Sequence, residues 1–239
     1  MPSPVFVLSP VRSGSTLFRV ILDSHSEICA PHELHLQVVR IRIEERHKYA
    51  KVAMKQLGLS ESKLENLLWD RILHRTLVAS GKKLIVDKTP QNVFGYERLT
   101  TAWPKARFIF LIRHPASIAD SLARSRKAPV EGAVAKRVNE YVAAMEKARA
   151  NLCGLTVRYE DLVADPESVT TEVCRYLGLR WERSMLDYGA WDHGPLVAGV
   201  GDWSPAIRSG EIKPSREIPD QDDIADELRD ACRVWGYLS

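Results

Sequence analysis

The run Pro10-Val11-Arg12-Ser13-Gly14-Ser15-Thr16 gathers a fixed cation, three hydroxyls and a glycine within seven residues. An apolar run over residues 5–8 leads into it, and Thr16, Leu17, Val20 and Ile21 open a helical stripe behind it that reaches about Ser24. A strand, loop and helix in this order aim successive backbone N–H groups at one point, together with the positive end of the helix dipole, which makes an anion site. An ordinary strand-to-helix turn with a serine cap would use the same residue types. The run is not the nucleotide-binding loop G-x-x-x-x-G-K-[ST]. Its first glycine is missing, and an arginine stands ahead of Gly14 where that motif has a lysine behind its glycine.

A second constellation lies in "FIFLIRHPASIADSLARS". Arg113 follows an apolar strand-like run, Pro115 suits a helix start, and Ser117 and Ser121 fall on the first turns. Ligands of open α/β sheets bind at the carboxyl ends of the strands, so Arg113 and Ser121 are expected to face the crevice that the first loop faces. They read as a second, separate phosphate clamp, and two clamps suit a ligand with phosphates at both ends. Arg124 and Arg126 either extend this clamp or are solvated helix charges. Lys88 closes the run "LIVDK" and should project into the same crevice.

The elements that must position these groups follow from periodicity. Residues 5–9, 84–87, 107–112 and 155–159 are short apolar runs of the kind found in buried parallel strands, separated by segments of helical period. Leu64, Leu67, Leu68 and Ile72 share one face of a helix over residues 60–80. Val134, Val138, Tyr141, Val142 and Met145 do the same over 131–150, and Ile224, Leu228, Ala231, Trp235 and Leu238 form a last stripe. The expected fold is a single P-loop-like α/β domain spanning residues 1–239, a central parallel sheet flanked by helices on both faces. Residues 189–214, with Trp191 and Trp203, are too long for a plain connection and read as an ordered lid or substrate wall.

The net charge of +3 is mild and the basic residues are scattered, which argues against bulk nucleic-acid binding and fits a small polyanionic ligand. Cys29, Cys153, Cys174 and Cys232 lie far apart without a C-x-x-C pair or a histidine at ligand spacing, so reduced thiols and no metal are expected. There is no signal-peptide pattern and no apolar run of the roughly 20 residues that span a bilayer. The expectation is a soluble, cytoplasmic protein.

Taken together, Arg12-Ser13-Gly14-Ser15-Thr16, Arg113 with Ser121 eight residues on, "VDKTP" at residues 86–90 and "VRYEDLVADP" at residues 157–166 resemble the sulfotransferases that use 3′-phosphoadenosine 5′-phosphosulfate (PAPS). Within that superfamily "RSGSTLFRVILDSH" and "APHELHL" look most like the sulfotransferase domains of bacterial polyketide assembly lines and, more distantly, tyrosylprotein sulfotransferases. The resemblance implies in-line transfer of a sulfuryl group to a hydroxyl, in bacterial secondary metabolism, with no metal required. The first loop, Arg12 to Thr16, would hold the 5′-phosphosulfate, and Arg113 and Ser121 the 3′-phosphate. Tyr159 would contact the purine region, although a tyrosine at a strand end can equally be a core residue. A late serine before Ile212-Lys213-Pro214 matches Ser209, and with it Lys213. Charge develops on the leaving phosphate oxygen, where Arg12 and Lys88, joined by Ser209, are the candidate stabilisers.

An attacking hydroxyl must lose its proton, and "CAPHELHL" supplies His32, Glu33 and His35 as candidate bases. The resemblance favours Glu33, with His35 second and His32 third. On an extended segment His35 would share the face of Glu33, and on a helix it would not. The acceptor itself stays open: a small molecule, lipid, glycan or carrier-bound chain. Two rival readings remain. One is a P-loop kinase or NTPase with Asp87 as magnesium ligand, and the other is a nucleotide-binding module without chemistry.

Overall fold

The computed structural model of the protein describes residues 3–44, 46–124, 132–194 and 205–238. Arg126 and Trp203 lie outside them. Strands β1 (Val5–Leu8), β2 (Ile28–Cys29), β3 (Leu84–Lys88), β4 (Arg107–Ile112) and β5 (Gly154–Arg158) form one sheet in the order β2-β3-β1-β4-β5. Every pairing is parallel, with Val5 opposite Val86 on one side and Arg107 on the other. The chain goes from β1 to the edge strand β2, returns to lay β3 between them, then crosses to place β4 and β5 on the other side of β1. The topological switch point therefore lies beside β1, where α/β sheets open a crevice. Four strands were expected; β2 was missed because two residues are too few to register as an apolar run.

Helices follow as α1 (Ser15–Asp23), α2 (Lys48–Gln56), α3 (Glu61–Ser80), α4 (Tyr96–Ala102), α5 (Pro115–Ala123), α6 (Ala133–Asn151), α7 (Tyr159–Ala164), α8 (Pro166–Leu177), α9 (Pro205–Arg208) and α10 (Asp226–Val234). Alternate residues of β1 point to opposite faces. Val5 and Val7 pack with Leu17, Phe18 and Ile21 of α1, Leu162 of α7 and Val173 of α8, whereas Phe6 and Leu8 pack with Trp69, Leu99, Ile118, Tyr141 and Leu228 of α3, α4, α5, α6 and α10. Both faces of the sheet are covered, as the unbroken apolar runs required.

One stripe was read on the wrong face. Leu67 and Leu68 of α3 are exposed, and the buried positions are Glu65, Trp69, Leu73 and Leu77. A glutamate leading the stripe hid it. Glu65 is buried because Arg98 and Arg40 pair with it at 2.5 and 3.3 Å. Tyr159, expected to end a strand, instead opens α7 immediately after β5.

Candidate active site

The loop after β1 is held in a conformation that few residues tolerate. Among the described residues, Arg12 (φ 63°) and His35 (φ 48°) are the non-glycine residues with positive φ, and both belong to this site. Gly14 caps α1 at φ 81° and gives the first helical turn no side-chain cap bond, at the helix end where anions bind. A Cβ added at Gly14 would sit 2.2 Å from Cδ2 of Tyr159, whose ring lies directly against the loop. The Ser13 hydroxyl donates to the Pro10 carbonyl at 2.8 Å, which leaves its amide as the group it can offer an anion.

Arg113 leaves the end of β4 and donates from NH1 to the Arg12 carbonyl at 3.0 Å, while its guanidinium lies 4.5 Å above the Tyr159 ring. Its Nε is buried and finds no hydrogen-bond partner among the described residues. Burial lowers its pKa; Tyr159 and Glu160 oppose that shift, and the nearby charges of Arg12 and Arg216 reinforce it. Arg12 in turn donates from Nε to the Ser121 hydroxyl at 3.0 Å. The two clamps expected to be separate are thus one continuous cluster bridged by Arg12. Arg216 was missed, having no motif around it.

Opposite this cluster stand Lys88, Glu33 and His35. The Lys88 ammonium, 1% exposed, donates to Oε1 of Glu33, and Nε2 of His35 lies 3.3 Å from Oε2. Burial lowers the pKa of Lys88, and the charge and hydrogen bond of Glu33 work against that. Residues 30–35 have no helical structure, so His35 does reach Glu33. His32 lies beside Gly194: a Cβ built there would be 3.3 Å from its Nε2. Arg19 of α1 is buried at 2% exposure, donates to the Ala30 carbonyl at 2.9 Å and acts electrostatically on both Lys88 and Glu33. A charged residue inside the apolar stripe of α1 was the signal that could have found it.

Asp87, the magnesium ligand of the rival reading, is 1% exposed and already satisfied. It accepts from Thr89 Oγ1 at 3.0 Å and from Asn92 Nδ2 at 2.8 Å, and the Leu34 amide adds to the support of its charged form. Ser209 and Lys213 are exposed, and the Ser209 hydroxyl donates to the Ala206 carbonyl at 2.7 Å. No hydrogen bond or ion pair among the described residues joins either one to Arg12, Lys88 or Arg113. A short helical turn, α9, takes up the hydroxyl locally. The carboxyl-terminal segment closes the far side: Glu160 accepts from the His114 amide at 3.0 Å and from the Tyr237 hydroxyl at 2.7 Å.

A profile described as "Sulfotransferase family" matches residues 4–183, which include the loop, Lys88, Arg113 and Tyr159. The chain belongs to the sulfotransferase family. Among solved structures it is similar to the sulfotransferase domain from the curacin biosynthetic pathway, with a TM-score of 0.74 at 22% identity over 100% of this chain and 99% of that one. It is also similar to the sulfotransferase domain from the Synechococcus PCC 7002 olefin synthase, with a TM-score of 0.67 at 23% identity over 99% and 96%. These likenesses establish the sulfotransferase fold. Curated relatives include nodulation protein NoeE of Sinorhizobium fredii, 31% identical over 51% of this chain and 31% of that protein. Protein-tyrosine sulfotransferase 1 of Danio rerio is 24% identical over 82% and 58%. The chain therefore spans roughly a third to three fifths of the length of these relatives. No helix among the described residues is long and apolar enough to cross a membrane.

Proposed function

We propose that this chain transfers a sulfuryl group from PAPS to the hydroxyl of an acceptor. The observation that carries the reading is the cationic cluster at the carboxyl ends of β1 and β4, Arg12 with Arg113 and Ser121, set across the crevice from Lys88, Glu33 and His35. Family membership and the PAP bound to a mouse sulfotransferase, similar with a TM-score of 0.53 at 12% identity over 98% of this chain and 84% of that one, support the cofactor. The residues present fit it: the Arg113 Nε is buried with no hydrogen-bond partner among the described residues, and no side chain caps α1 at Gly14.

PAPS, when bound, supplies an activated sulfuryl group on a phosphate leaving group. The first loop and Arg12 would hold its 5′ end, Arg113 and Ser121 its 3′-phosphate, and the Tyr159 ring would line the nucleoside side. Lys88 would donate to the leaving phosphate oxygen, where charge develops. Glu33 accepts the acceptor's proton, and His35 orients it. Lys88 and Glu33 are paired, which offsets the cost of burying the Lys88 ammonium. The Asp87 environment argues against the kinase reading, because Thr89 and Asn92 already donate to its buried carboxylate. The names of the curacin-pathway and olefin-synthase neighbours favour a carrier-bound hydroxyl among the acceptor classes.

Two measurements test this. 3′,5′-ADP should raise the melting temperature by the binding linkage, whereas ATP with magnesium should not. Mass gain should then follow incubation of PAPS with a panel of free and carrier-bound hydroxyl compounds. With the acceptor so found, Glu33→Gln should lose turnover by roughly 10²-fold while still binding 3′,5′-ADP. Stabilisation by ATP instead would refute the proposal.

A further inference from the structure

The Glu33-Leu34-His35 segment lacks regular secondary structure, so no repeating backbone ladder fixes the side chains it brings to the reaction. A displacement of about 1 Å at such a group can cost roughly 10²-fold in rate. What holds the segment is Asp87. Its carboxylate accepts Thr89 Oγ1, which itself accepts the His35 amide at 3.4 Å, and it faces the Leu34 amide, which favours its charged form. Its third donor, Asn92, receives Gln37 Nε2 on its carbonyl at 3.2 Å. Each of these chains of contacts ends on residues 34–37, and none reaches the cofactor loop. The next residue on β3 is Lys88, which grips the Glu33 side chain. Two consecutive residues of one buried strand thus fix the backbone and the carboxylate of the same glutamate.

We propose that Asp87 is the positioning residue for the general base, which rests on the reading of Glu33 as that base. A carboxylate is required because all three groups facing it are donors. An asparagine would turn its own N–H₂ toward one of them and leave a buried donor unmatched. Thr89 is the second part of the device: its hydroxyl donates to Asp87 and accepts from His35 at once. Serine preserves both bonds, and valine preserves the shape while losing both.

The test uses the whole chain and needs no acceptor in its first arm. By hydrogen exchange read by mass spectrometry, Asp87→Asn and Thr89→Val should speed exchange of the Leu34 and His35 amides about tenfold or more. Thr89→Ser should leave it unchanged, and all three variants should keep 3′,5′-ADP affinity within about twofold. Unchanged exchange in Asp87→Asn and Thr89→Val, or acceleration spread evenly over the sheet, overturns the proposal. In the second arm, with an acceptor from the mass-gain panel, Asp87→Asn should lower kcat roughly 10- to 100-fold at constant KM for PAPS. Added to Glu33→Gln it should cost nothing further, since the two act as one unit, whereas a merely structural loss would add. If Glu33→Gln alone keeps full turnover, the base assignment fails; if the exchange result fails while Glu33→Gln is inactive, only the role of Asp87 does.

Discussion

On the donor side of the crevice every named group sits at or just beyond the end of a strand or on the helix that follows it. Gly14 and Arg12 follow β1, Arg113 and Ser121 follow β4, and Tyr159 follows β5. On the side that the proposed function gives to the acceptor, Lys88 ends β3, and the other groups come from segments with little regular structure, residues 30–38, 187–194 and 205–211, held by side-chain staples. Asp87 ties the first, and His193 bonds Asp23 at 2.8 Å to tie the second. The Tyr188 hydroxyl donates to the Glu211 carbonyl at 3.0 Å, joining the third to the second. A cavity of about 210 Å³ lies among the latter two, lined by Trp191, His193, Ile207 and Arg208 beside Val20 of α1. On the proposed function, the difference separates two kinds of support: phosphate geometry would rest on backbone that the sheet fixes, and acceptor geometry on chain held by side-chain staples.

Substitutions that strike the donor side should therefore be the most severe. Gly14→Ala is expected to have the largest effect, because it meets both the positive φ and the Tyr159 ring at 2.2 Å. Either the loop or the Tyr159 ring, on which the Arg113 guanidinium stacks, must shift. We expect 3′,5′-ADP affinity to fall more than roughly 100-fold, measured by calorimetry. Binding within about threefold of wild type would mean that the loop can be rebuilt, and would erase the contrast between the two sides. Arg113→Ala comes next, losing a buried cation that stacks on Tyr159 and fastens the Arg12 carbonyl. The expected cost is about 2–5 kcal/mol of 3′,5′-ADP binding. Arg113→Lys should recover little of it, since an ammonium cannot bridge phosphate and carbonyl as the planar fork does.

That contrast also explains what the sequence made legible. The donor side is local: Arg12 to Thr16 is one run, and Arg113 with Ser121 is another, so motif and spacing carry them onto strand ends. The sheet was legible because four of its strands are apolar runs, and β2 was not because two residues leave no pattern. The acceptor side is non-local. Nothing in "LIVDK" tells that Asp87 acts through Thr89 on the amide of His35, and nothing near His193 points to Asp23. Glu33 and His35 stood out only because the resemblance singled out their segment. Ser209 and Lys213 show the limit of that route: the matching residues exist, but the described chain does not bring them to the cluster.

Lys88→Ala should show a smaller, purely kinetic effect. The ammonium lies on the acceptor side of the crevice and bonds Glu33, so cofactor affinity should hold while kcat and kcat/KM fall together by roughly 10²-fold. Steady-state kinetics with direct titration of 3′,5′-ADP separates the two. A parallel loss of cofactor affinity would place Lys88 on the donor side and move the boundary drawn here.

The mildest effect is expected at Asp23, and it touches stability alone. Burial acts to raise its pKa, but His193, the Ala30 amide, Lys82 and Arg19 outweigh burial, and the carboxyl is held below its ordinary value of 3.8. A carboxylate with a lower pKa folded than unfolded stabilises the fold at every pH above the unfolded value, and that contribution disappears as pH falls through the folded value. Asp23→Asn should thus melt about 2–4 °C below wild type at pH 7, as expected for the loss of ~1 kcal/mol in a domain of this size. As the pH drops below 3.8 the two melting curves should converge, because wild type then loses what the variant never had. Affinity for 3′,5′-ADP at pH 7 should not change, since the staple holds residues 187–194 and makes no contact with the cluster around Arg113. A melting gap that stays constant down to pH 3 would mean that the lost stability comes from packing and not from the charge of Asp23. A fall in cofactor affinity would mean that the two sides of the crevice are coupled through α1, whose first turn faces the donor and whose last residue is Asp23.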